Sequence, residues 1–484
     1  MKIYVLYTGG TIGSVGQPLA PLPGPAFVAA FRANVEGIVT SQMPGTTLEY
    51  DFFANTLDST NMQPSDWVRI AQRILQHYEA NDAFLVLHGT DTMAWTSSAL
   101  SFLLPGVSKP LFVTGSQLPL FYQKGNESML LFNTDALRNV LGAIEFMSFG
   151  IPEVGLYFAD TLYRGNRVVK SNASQFTAFS SPNYPALGTY GVLPRVEDAL
   201  ILPTPSSNAL DRKLDQVAAE LATIAAHIDA ASVIQLMTFP AFYDAKSGRS
   251  LLVSMLTQLA QVSPPLRGII FESFGEGNLP DFEQMKALLS KLHNDGVVLV
   301  DCTQVYAGDV NYNAYATGAW LKSCGVISGY DMTPIAALAK LIVQIALRPG
   351  APQSEIESAM GTDLAGEMES YYSLSGYQNE FLAPGESLYS INGRYQFSNE
   401  GEGELVLYDL AGSRPVKAWS QVCGAKGRLV MQADSNLVFY DKDFKPLFAT
   451  GTQRIGGNAT FRVNDDGSLC IYDLYSGELI GRLR

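Results

Sequence analysis

Short apolar runs alternate with helical patterns over the first 190 residues of the chain. Four runs predict buried strands, at residues 3–6, 84–87, 111–113 and 154–158. Between the first two, Trp67, Ile70 and Ile74 recur with helical spacing, which predicts a helix from Ser65 to Ala80 with Ser65 as its cap. This strand–helix rhythm is typical of a parallel sheet with helices on both faces.

A loop-rich bridge at about residues 190–208 precedes a second α/β pattern. It predicts a helix from about Ala209 to His227 and strands at residues 232–236, 268–271 and 297–300. Thr333 followed by Pro334 is a typical helix start, since threonine caps and proline suits the first helical position. The apolar stretch that follows contains Lys340 and is too short to span a bilayer, so we expect a buried helix.

After about residue 380 the helical periodicity ends and a repeat begins. The same apolar pentad ending in Tyr-Asp occurs three times, with Tyr408, Tyr440 and Tyr472 spaced by 32 residues. A constant period with alternating apolar residues predicts an all-β repeat. We therefore expect three domains, at residues 1–190, 208–365 and 381–484.

Composition narrows the class of protein. The chain has 484 residues, 47% of them hydrophobic and 16% charged, which is globular and not disordered composition. Its formal net charge of −14 argues against nonspecific nucleic-acid binding and against attachment to anionic membranes. Met1-Lys2 runs directly into the first strand without a targeting pattern, and the four cysteines show no CxxC spacing, so we expect a cytoplasmic protein with reduced thiols.

Two predicted strands are each followed at once by a glycine-containing turn that presents threonine. Thr8–Gly13 follows the first strand and His88–Thr92 follows the second. In open α/β sheets ligands bind beyond the carboxyl ends of the strands, so Thr11 and Thr90 lie where chemistry is expected. A threonine hydroxyl needs a base to become a nucleophile, and a lysine kept neutral by burial, such as Lys170 oriented by an aspartate, can supply one.

Each feature also has an ordinary structural interpretation. The glycines beside Thr11 suit a tight strand-to-helix turn, and the segment lacks the spacing of nucleotide-binding loops. Asp91 would serve equally as a helix cap. Most lysines are solvated, so Lys170 is informative only if it is buried against Asp91.

Seven ordered segments resemble bacterial-type L-asparaginases, and specifically the cytoplasmic type I branch. They extend over residues 1 to about 365 and are Thr8–Gly13, Asp58–Met62, His88–Met93, Thr114–Pro119, Leu162–Arg167, Tyr315–Gly318 and Gly325–Gly329. The resemblance implies a two-domain α/β fold, with a parallel-sheet N-terminal domain and a smaller α/β C-terminal domain. It also implies hydrolysis of L-asparagine to L-aspartate and ammonia through an acyl-enzyme, with no metal and no cofactor.

The resemblance assigns roles by position. Thr11 matches the nucleophile, and Thr90, Asp91 and Lys170 match the group that relays protons. Substrate binding is assigned to Ser59, Thr60, Gly89, Asp91 and Glu276. Ser59 matches the residue that holds the substrate α-carboxylate, and Asp91 would hold the α-ammonium. Family members are homodimers or homotetramers whose sites are closed by a neighbouring subunit, and Glu276 falls where that neighbour contributes.

The sequence also departs from the family pattern. The lid segment Ser14–Gly24 lacks the usual tyrosine, with Leu19 near the expected place, and Phe121–Phe132 is an insertion. Two alternatives to an L-asparaginase therefore stay open. One is a weak or inactive asparaginase-like scaffold that acts as a lectin, and the other is an amidohydrolase for another amide such as glutamine.

The C-terminal repeat resembles the bulb-type, mannose-binding lectins, which implies a β-prism II domain. Their signature Q-x-D-x-N-x-V-x-Y is complete only in the middle copy, at Gln432, Asp434, Asn436, Val438 and Tyr440. Spacing of two predicts that the four polar residues share one strand face and converge on the hydroxyls of a mannose-type sugar, with Val438 as apolar contact. The alternative is that all three repeats only fold or mediate assembly.

Overall fold

The chain forms two compact units. The computed structural model describes residues 1–125, 127–202, 209–310, 316–368, 373–376, 379–390, 394–412, 414–454, 459–473 and 478–484, with backbone alone at residues 199 and 316–319. The first unit consists of residues 1–202 and Leu210–Asp229, and the second extends from Ala230 to Arg484.

The first unit alternates strands and helices as its apolar pattern predicts. Its strands are β1 (Lys2–Gly9), β2 (Ser14–Val15), β3 (Ala20–Pro21), β4 (Thr47–Leu57), β5 (Ala83–Leu87), β6 (Leu111–Thr114), β7 (Phe121–Lys124), β8 (Glu127–Leu130), β9 (Val154–Phe158), β10 (Thr161–Arg164), β11 (Val169–Lys170), β12 (Phe179–Ser180), β13 (Gly188–Tyr190) and β14 (Pro194–Val196). Its helices are α1 (Gly24–Phe31), α2 (Gly37–Gln42), α3 (Pro64–Gln76), α4 (Met93–Leu103), α5 (Ala136–Met147) and α6 (Leu214–His227).

An eight-stranded sheet forms the centre of this unit. Its order is β14-β13-β10-β9-β6-β5-β1-β4, and the five strands from β9 to β4 are mutually parallel. Strands β5, β6 and β9 are buried along their whole length, as expected when helices cover both faces. The predicted strands at residues 3–6, 84–87, 111–113 and 154–158 are thereby confirmed.

Two details of the first unit differ from the sequence prediction. Helix α3 is capped by Gln63 and not by Ser65, because Pro64 takes the first helical position and Asp66 accepts the Gln63 N–H (3.0 Å). The predicted helix at residues 209–227 is present as α6, but it packs against α3 in the first unit and not in the second α/β unit. Periodicity reveals a helix and its apolar face but not which sheet that face covers.

The second unit contains an α/β part and an all-β part. Its strands are β15 (Val233–Met237), β16 (Tyr243–Asp244), β17 (Arg249–Ser250), β18 (Gly268–Ser273), β19 (Val298–Thr303), β20 (Val326–Ser328), β21 (Ser373–Ser375), β22 (Phe381–Leu382), β23 (Ser387–Tyr389), β24 (Tyr395–Glu400), β25 (Glu404–Asp409), β26 (Val416–Val422), β27 (Gly427–Met431), β28 (Leu437–Asp441), β29 (Pro446–Ala449), β30 (Ala459–Val463), β31 (Leu469–Asp473) and β32 (Leu479–Arg482). Its helices are α7 (Leu251–Leu259), α8 (Glu283–Asn294), α9 (Ala316–Ser323), α10 (Pro334–Leu347) and α11 (Gln353–Met360).

The α/β part has a four-stranded parallel sheet, β15-β18-β19-β20. Helix α10 confirms the predicted buried helix, and the Thr333 side chain accepts the Ala336 N–H at its start (3.1 Å). Lys340 lies fully buried in this helix and pairs with the equally buried Glu367 (2.6 Å). Within the described residues, no helix combines the length and the apolarity needed to cross a membrane.

The all-β part consists of three antiparallel sheets of four strands each. Their orders are β23-β24-β25-β26, β22-β27-β28-β29 and β21-β30-β31-β32. The three repeated pentads form β25, β28 and β31, the third strand of each sheet, and their alternate apolar residues meet in one core. The predicted all-β repeat is confirmed. Strand β21 belongs to this region although it precedes residue 381, and the domain boundaries stay predictions.

The middle signature does not lie on one strand face, so that prediction is wrong. Strand β27 ends at Met431 and β28 begins at Leu437, and the residues between them form the turn of a hairpin. Asp434 Oδ1 accepts the Asn436 N–H (3.0 Å) and Ser435 has a φ of 73°, both typical of turns. Polar residues at every second position have the spacing of one strand face, but the same residue types also form turns. Here the local hydrogen bonds favour the turn.

Candidate active site

Three neighbouring parallel strands bring the predicted site residues to one edge of the sheet in the first unit. Strand β1 leads to Thr11, β4 leads to Ser59 and β5 leads to Thr90. Because β1 lies between β4 and β5 and all three are parallel, their carboxyl ends open on the same side. This arrangement places the two threonine loops beside each other, as the sequence predicts.

The loops approach so closely that only glycine fits between them. A Cβ on Gly10 would lie 2.4 Å from the Gly89 backbone, and Gly10 also has a φ of 82°, a value that favours glycine. A Cβ on Gly89 would lie 2.5 Å from Ser59 Oγ. The assigned substrate-binding residues Gly89 and Ser59 are therefore in direct contact, next to the turn that carries Thr11.

Lys170 connects the second threonine to the aspartate. Its Nζ donates hydrogen bonds to Thr90 Oγ1 (2.9 Å) and to Asp91 Oδ1 (2.6 Å). The lysine side chain is 19% exposed and the Asp91 side chain 54%. The predicted ion pair is present, with a largely buried lysine, but the carboxylate stands at the open edge of the site and not inside it.

Thr11 and Ser59 have contrasting surroundings. Thr11 is half-buried, and within the described part of the chain its hydroxyl makes no side-chain hydrogen bond. Ser59 is buried, and its carbonyl accepts a bond from Thr92 Oγ1 (2.7 Å). Thr60 is exposed and its hydroxyl bonds to Asp58 (3.0 Å), so this predicted substrate ligand stabilises its own turn.

His88 supports the Thr90 loop, a role that the sequence did not suggest. The imidazole is fully buried, with Nδ1 2.7 Å from the Gly89 carbonyl oxygen and Nε2 2.9 Å from Thr96 Oγ1. Since a carbonyl only accepts, Nδ1 carries the proton and the Thr96 hydroxyl donates to Nε2. Burial lowers the pKa of His88 to about 4, so the ring is neutral at neutral pH. The sequence feature that could have indicated this role is a polar residue directly after an apolar strand.

The buried His88 predicts an acid-sensitive fold. Its pKa in the folded chain, about 4, lies below the ordinary value of 6.5, so the unfolded chain binds more protons between these values. The contribution of neutral His88 to the free energy of unfolding is complete above pH 6.5 and is lost as the pH falls toward 4. We expect the free energy of unfolding to decrease by roughly 3 kcal/mol over this range through this residue. Urea titrations of wild type and His88→Asn measure the difference in slope.

His227 provides the control for this experiment, because it is exposed on α6. The His227→Asn variant should retain the wild-type pH dependence, whereas His88→Asn should flatten it between pH 6.5 and 5. Equal slopes for all three proteins would show that His88 does not govern acid stability.

Two hairpins flank the turn that carries Thr11. Strands β2 and β3 form the segment predicted as a lid, and exposed Leu19 lies between them. The predicted insertion Phe121–Phe132 contains the hairpin of β7 and β8, which packs near β2. The Leu120 N–H donates to the Ile12 carbonyl (3.0 Å), which fixes the start of this hairpin beside Thr11.

Glu276 belongs to the second unit. It is exposed in a turn closed by hydrogen bonds between Phe274 and Asn278. Its assignment to substrate binding stays a prediction. Of the matched segment Tyr315–Gly318, Tyr315 lies outside the described residues.

The predicted sugar ligands divide into two groups. Gln432 Nε2 donates to the Tyr440 hydroxyl (2.9 Å), while Asn436 Oδ1 accepts bonds from Gly451 N–H (3.0 Å) and Thr450 Oγ1 (3.1 Å). Val438 is buried and Asp434 is exposed. The Asn436 side chain thus holds the hairpin to the following loop.

Comparison with known proteins identifies the family of the chain. The family model for the asparaginase N-terminal domain matches residues 2–202, and that for the glutaminase/asparaginase C-terminal domain matches residues 253–360. The chain belongs to the asparaginase family. The prediction of a two-domain asparaginase fold and of an enzyme of this family is thereby confirmed.

Individual asparaginase-family relatives extend over the same region. L-asparaginase 1 of Escherichia coli K12 is 34% identical over 76% of this chain and 98% of its own length. The crystal structure of L-asparaginase I from Vibrio cholerae is 32% identical, with a TM-score of 0.60, over 76% of this chain and 99% of that protein. The 60 kDa lysophospholipase of Mus musculus is 31% identical over 76% of this chain and 62% of its length. The relatives are therefore named after more than one enzymatic activity.

Proposed function

We propose that the chain hydrolyses L-asparagine to L-aspartate and ammonia at the sheet edge that carries Thr11 and Thr90. The observation that carries this proposal is the position of Lys170 Nζ, within hydrogen-bond distance of both Thr90 Oγ1 and Asp91 Oδ1. A hydroxyl, an amine and a carboxylate in that order form a proton relay of the kind that activates a nucleophile. Asparaginases among the relatives support the same substrate.

The reaction proceeds in two steps. The Thr11 oxygen attacks the side-chain amide carbon of asparagine, the C–N bond breaks, and ammonia leaves after taking up a proton. Water then attacks the resulting ester, which releases aspartate and restores the threonine hydroxyl. Thr90 and Lys170 transfer the protons, and Asp91 keeps the lysine amine directed at Thr90. Lys170 acts as a base after it has lost a proton, since an ammonium only donates.

The substrate is held by its charged α-groups. In this proposal Ser59 binds the α-carboxylate, and the carboxylate of Asp91, which is exposed, binds the α-ammonium. Both contacts require a substrate with these two groups, which favours an amino acid over a simple amide.

A coupled ammonia assay on the purified chain tests the proposal. We expect ammonia release from L-asparagine, and slower release from glutamine. A preference for glutamine or for β-aspartyl amides would identify an amidohydrolase of another specificity. No release from any of these amides would favour an inactive scaffold, the alternative suggested by the lid without tyrosine.

We further propose a homodimer or homotetramer in which Glu276 completes a neighbouring subunit's site. The exposed position of Glu276 in its turn is compatible with this role. Light scattering should give a mass of at least two chains, and Glu276→Gln should raise KM more than it lowers kcat, because binding and not chemistry is affected. A fully active monomer would contradict this proposal.

A second candidate function is sugar binding by the β repeats. The complete signature in the middle copy favours it, and Asp434 is the exposed charged acceptor of that copy. We expect Asp434→Ala to lose retention on a mannose column. Asp466→Ala is the matched control, since Asp466 Oδ1 makes the equivalent turn bond to Ser468 N–H (2.8 Å) in a copy without the full signature. Absence of wild-type retention would leave the repeats as a folding or assembly region.

A further inference from the structure

Among the described residues of the second unit, the guanidinium of Arg462 has no carboxylate partner. Arg462 alternates along β30 with the core residues Phe461 and Val463, so its side chain leaves the opposite face of the sheet. There Nη1 donates to Ser358 Oγ of α11 (2.5 Å), and the guanidinium lies 5.3 Å from the centre of the Tyr472 ring. Within the described residues, Arg462 Nε is shielded from solvent and has no hydrogen-bond partner.

This position is unfavourable for an uncompensated cation. Burial lowers the pKa of Arg462 to about 10, and the positive charge of Arg348 acts in the same direction. The group nevertheless stays protonated at neutral pH. Within the described residues, the partners of this shielded charge are a neutral hydroxyl and the face of a tyrosine ring, and an anionic ligand would stabilise it further.

Arg462 lines a cavity of about 160 Å³ that also contains charges of the opposite sign. Ser358 and Asn464 border it together with two carboxylates, Asp465 and Glu357, and Glu357 Oε1 lies 3.0 Å from His293 Nε2. A simple anion would suit Arg462 but would be repelled by the carboxylates. A ligand that carries both a carboxylate and an ammonium satisfies both signs at once.

We propose that this cavity binds a small zwitterionic amino acid, with its carboxylate on Arg462 and its ammonium on Asp465. The volume of about 160 Å³ far exceeds the roughly 30 Å³ of one water molecule and accommodates a molecule of this size. Glu357 and Asp465 also line a neighbouring cavity of about 410 Å³, which leaves room for an amino-acid side chain. The site is built from second-unit residues and does not depend on the proposed catalytic function.

Isothermal titration calorimetry on the full chain tests this with three matched probes. L-Serine carries both charged groups, glycerate lacks the ammonium and ethanolamine lacks the carboxylate. We expect serine to bind at least about tenfold more tightly than either control, since each lost contact is a charge-assisted hydrogen bond. Equal binding of glycerate would indicate a plain anion site, and no binding of serine would leave Arg462 as a contact to Ser358. Either result would overturn the proposal.

Variants locate the bound serine. Arg462→Met should raise the dissociation constant at least about tenfold, and Arg462→Lys should also weaken binding because it lacks the planar fork. Arg428→Met is the control, as it removes the same charge from the neighbouring sheet, where Arg428 stacks on Phe381 and Phe444. Asp465→Asn offers an independent measurement if Arg462→Met does not fold. Unchanged affinity in the Arg462 and Asp465 variants would place the serine elsewhere and refute the site.

Discussion

The Thr11→Val and Thr90→Val variants are each expected to release ammonia from L-asparagine at least about 10⁴-fold more slowly than wild type. Thr11→Val removes the proposed nucleophile. Thr90→Val removes the hydroxyl that accepts the Lys170 hydrogen bond, so the relay is interrupted. Valine preserves the branched shape of threonine, and the fold should remain intact by circular dichroism. The measurement is kcat from the coupled ammonia assay.

Thr8→Val is the matched control, because Thr8 is buried in β1, the strand that leads to Thr11, and its hydroxyl donates to the Leu87 carbonyl (3.0 Å). This variant should lose about 1 kcal/mol of stability and retain turnover within a few-fold. Thr11→Ser and Thr90→Ser keep the hydroxyls and should retain measurable activity. Near wild-type turnover in both valine variants would disprove the assignment of the site.

Replacement of Lys170 is expected to reduce kcat by about 10³-fold, the usual contribution of a general base. Lys170→Met removes the amine. Lys170→Arg keeps a positive charge that can still pair with Asp91, but a guanidinium does not release its proton near neutral pH. If Lys170 acts as a base, both variants show this reduction in kcat. The measurement is kcat from the coupled ammonia assay on wild type and on both variants.

Lys109→Met is the control for charge removal. Lys109 is also half-buried in the first unit, and its Nζ donates to the backbone carbonyls of Tyr78 and Asn81. Its replacement should affect stability and not kcat. An active Lys170→Arg enzyme would restrict Lys170 to an electrostatic role and would require another base.

The sequence predicted those features that depend on residues close together along the chain. Four strands of the first unit, β1, β5, β6 and β9, were predicted because each contains a continuous apolar run, and a strand buried on both faces requires one. The cap of α10 was predicted because threonine and proline act within one turn. The middle lectin signature was misplaced because polar residues with alternate spacing are compatible with both a strand and a turn, and only the local hydrogen bonds of Asp434 decided for the turn.

The chemistry of the site was visible in the sequence because the residue types are unusual after apolar strands. The close approach of the loops of Gly10, Gly89 and Ser59 could not be predicted from the sequence, since these loops are distant along the chain. The same holds for the Lys170 amine, which lies 80 residues from Thr90 in sequence and 2.9 Å away in space. The cavity beside Arg462 also depends on a distant partner, since Ser358 precedes Arg462 by 104 residues.

By itself, therefore, the sequence determined the class of each element, the period of the β repeats and the family resemblance of the threonine loops. These properties follow from local spacing, because the burial pattern of a helix or strand depends on the spacing of its own apolar residues. The tertiary structure alone decided which unit α6 joins, how the Thr90, Lys170 and Asp91 side chains meet, and which charges share the Arg462 cavity. Such contacts are made by side chains from separate elements, and neither the periodicity nor the composition of the sequence predicts which elements come together.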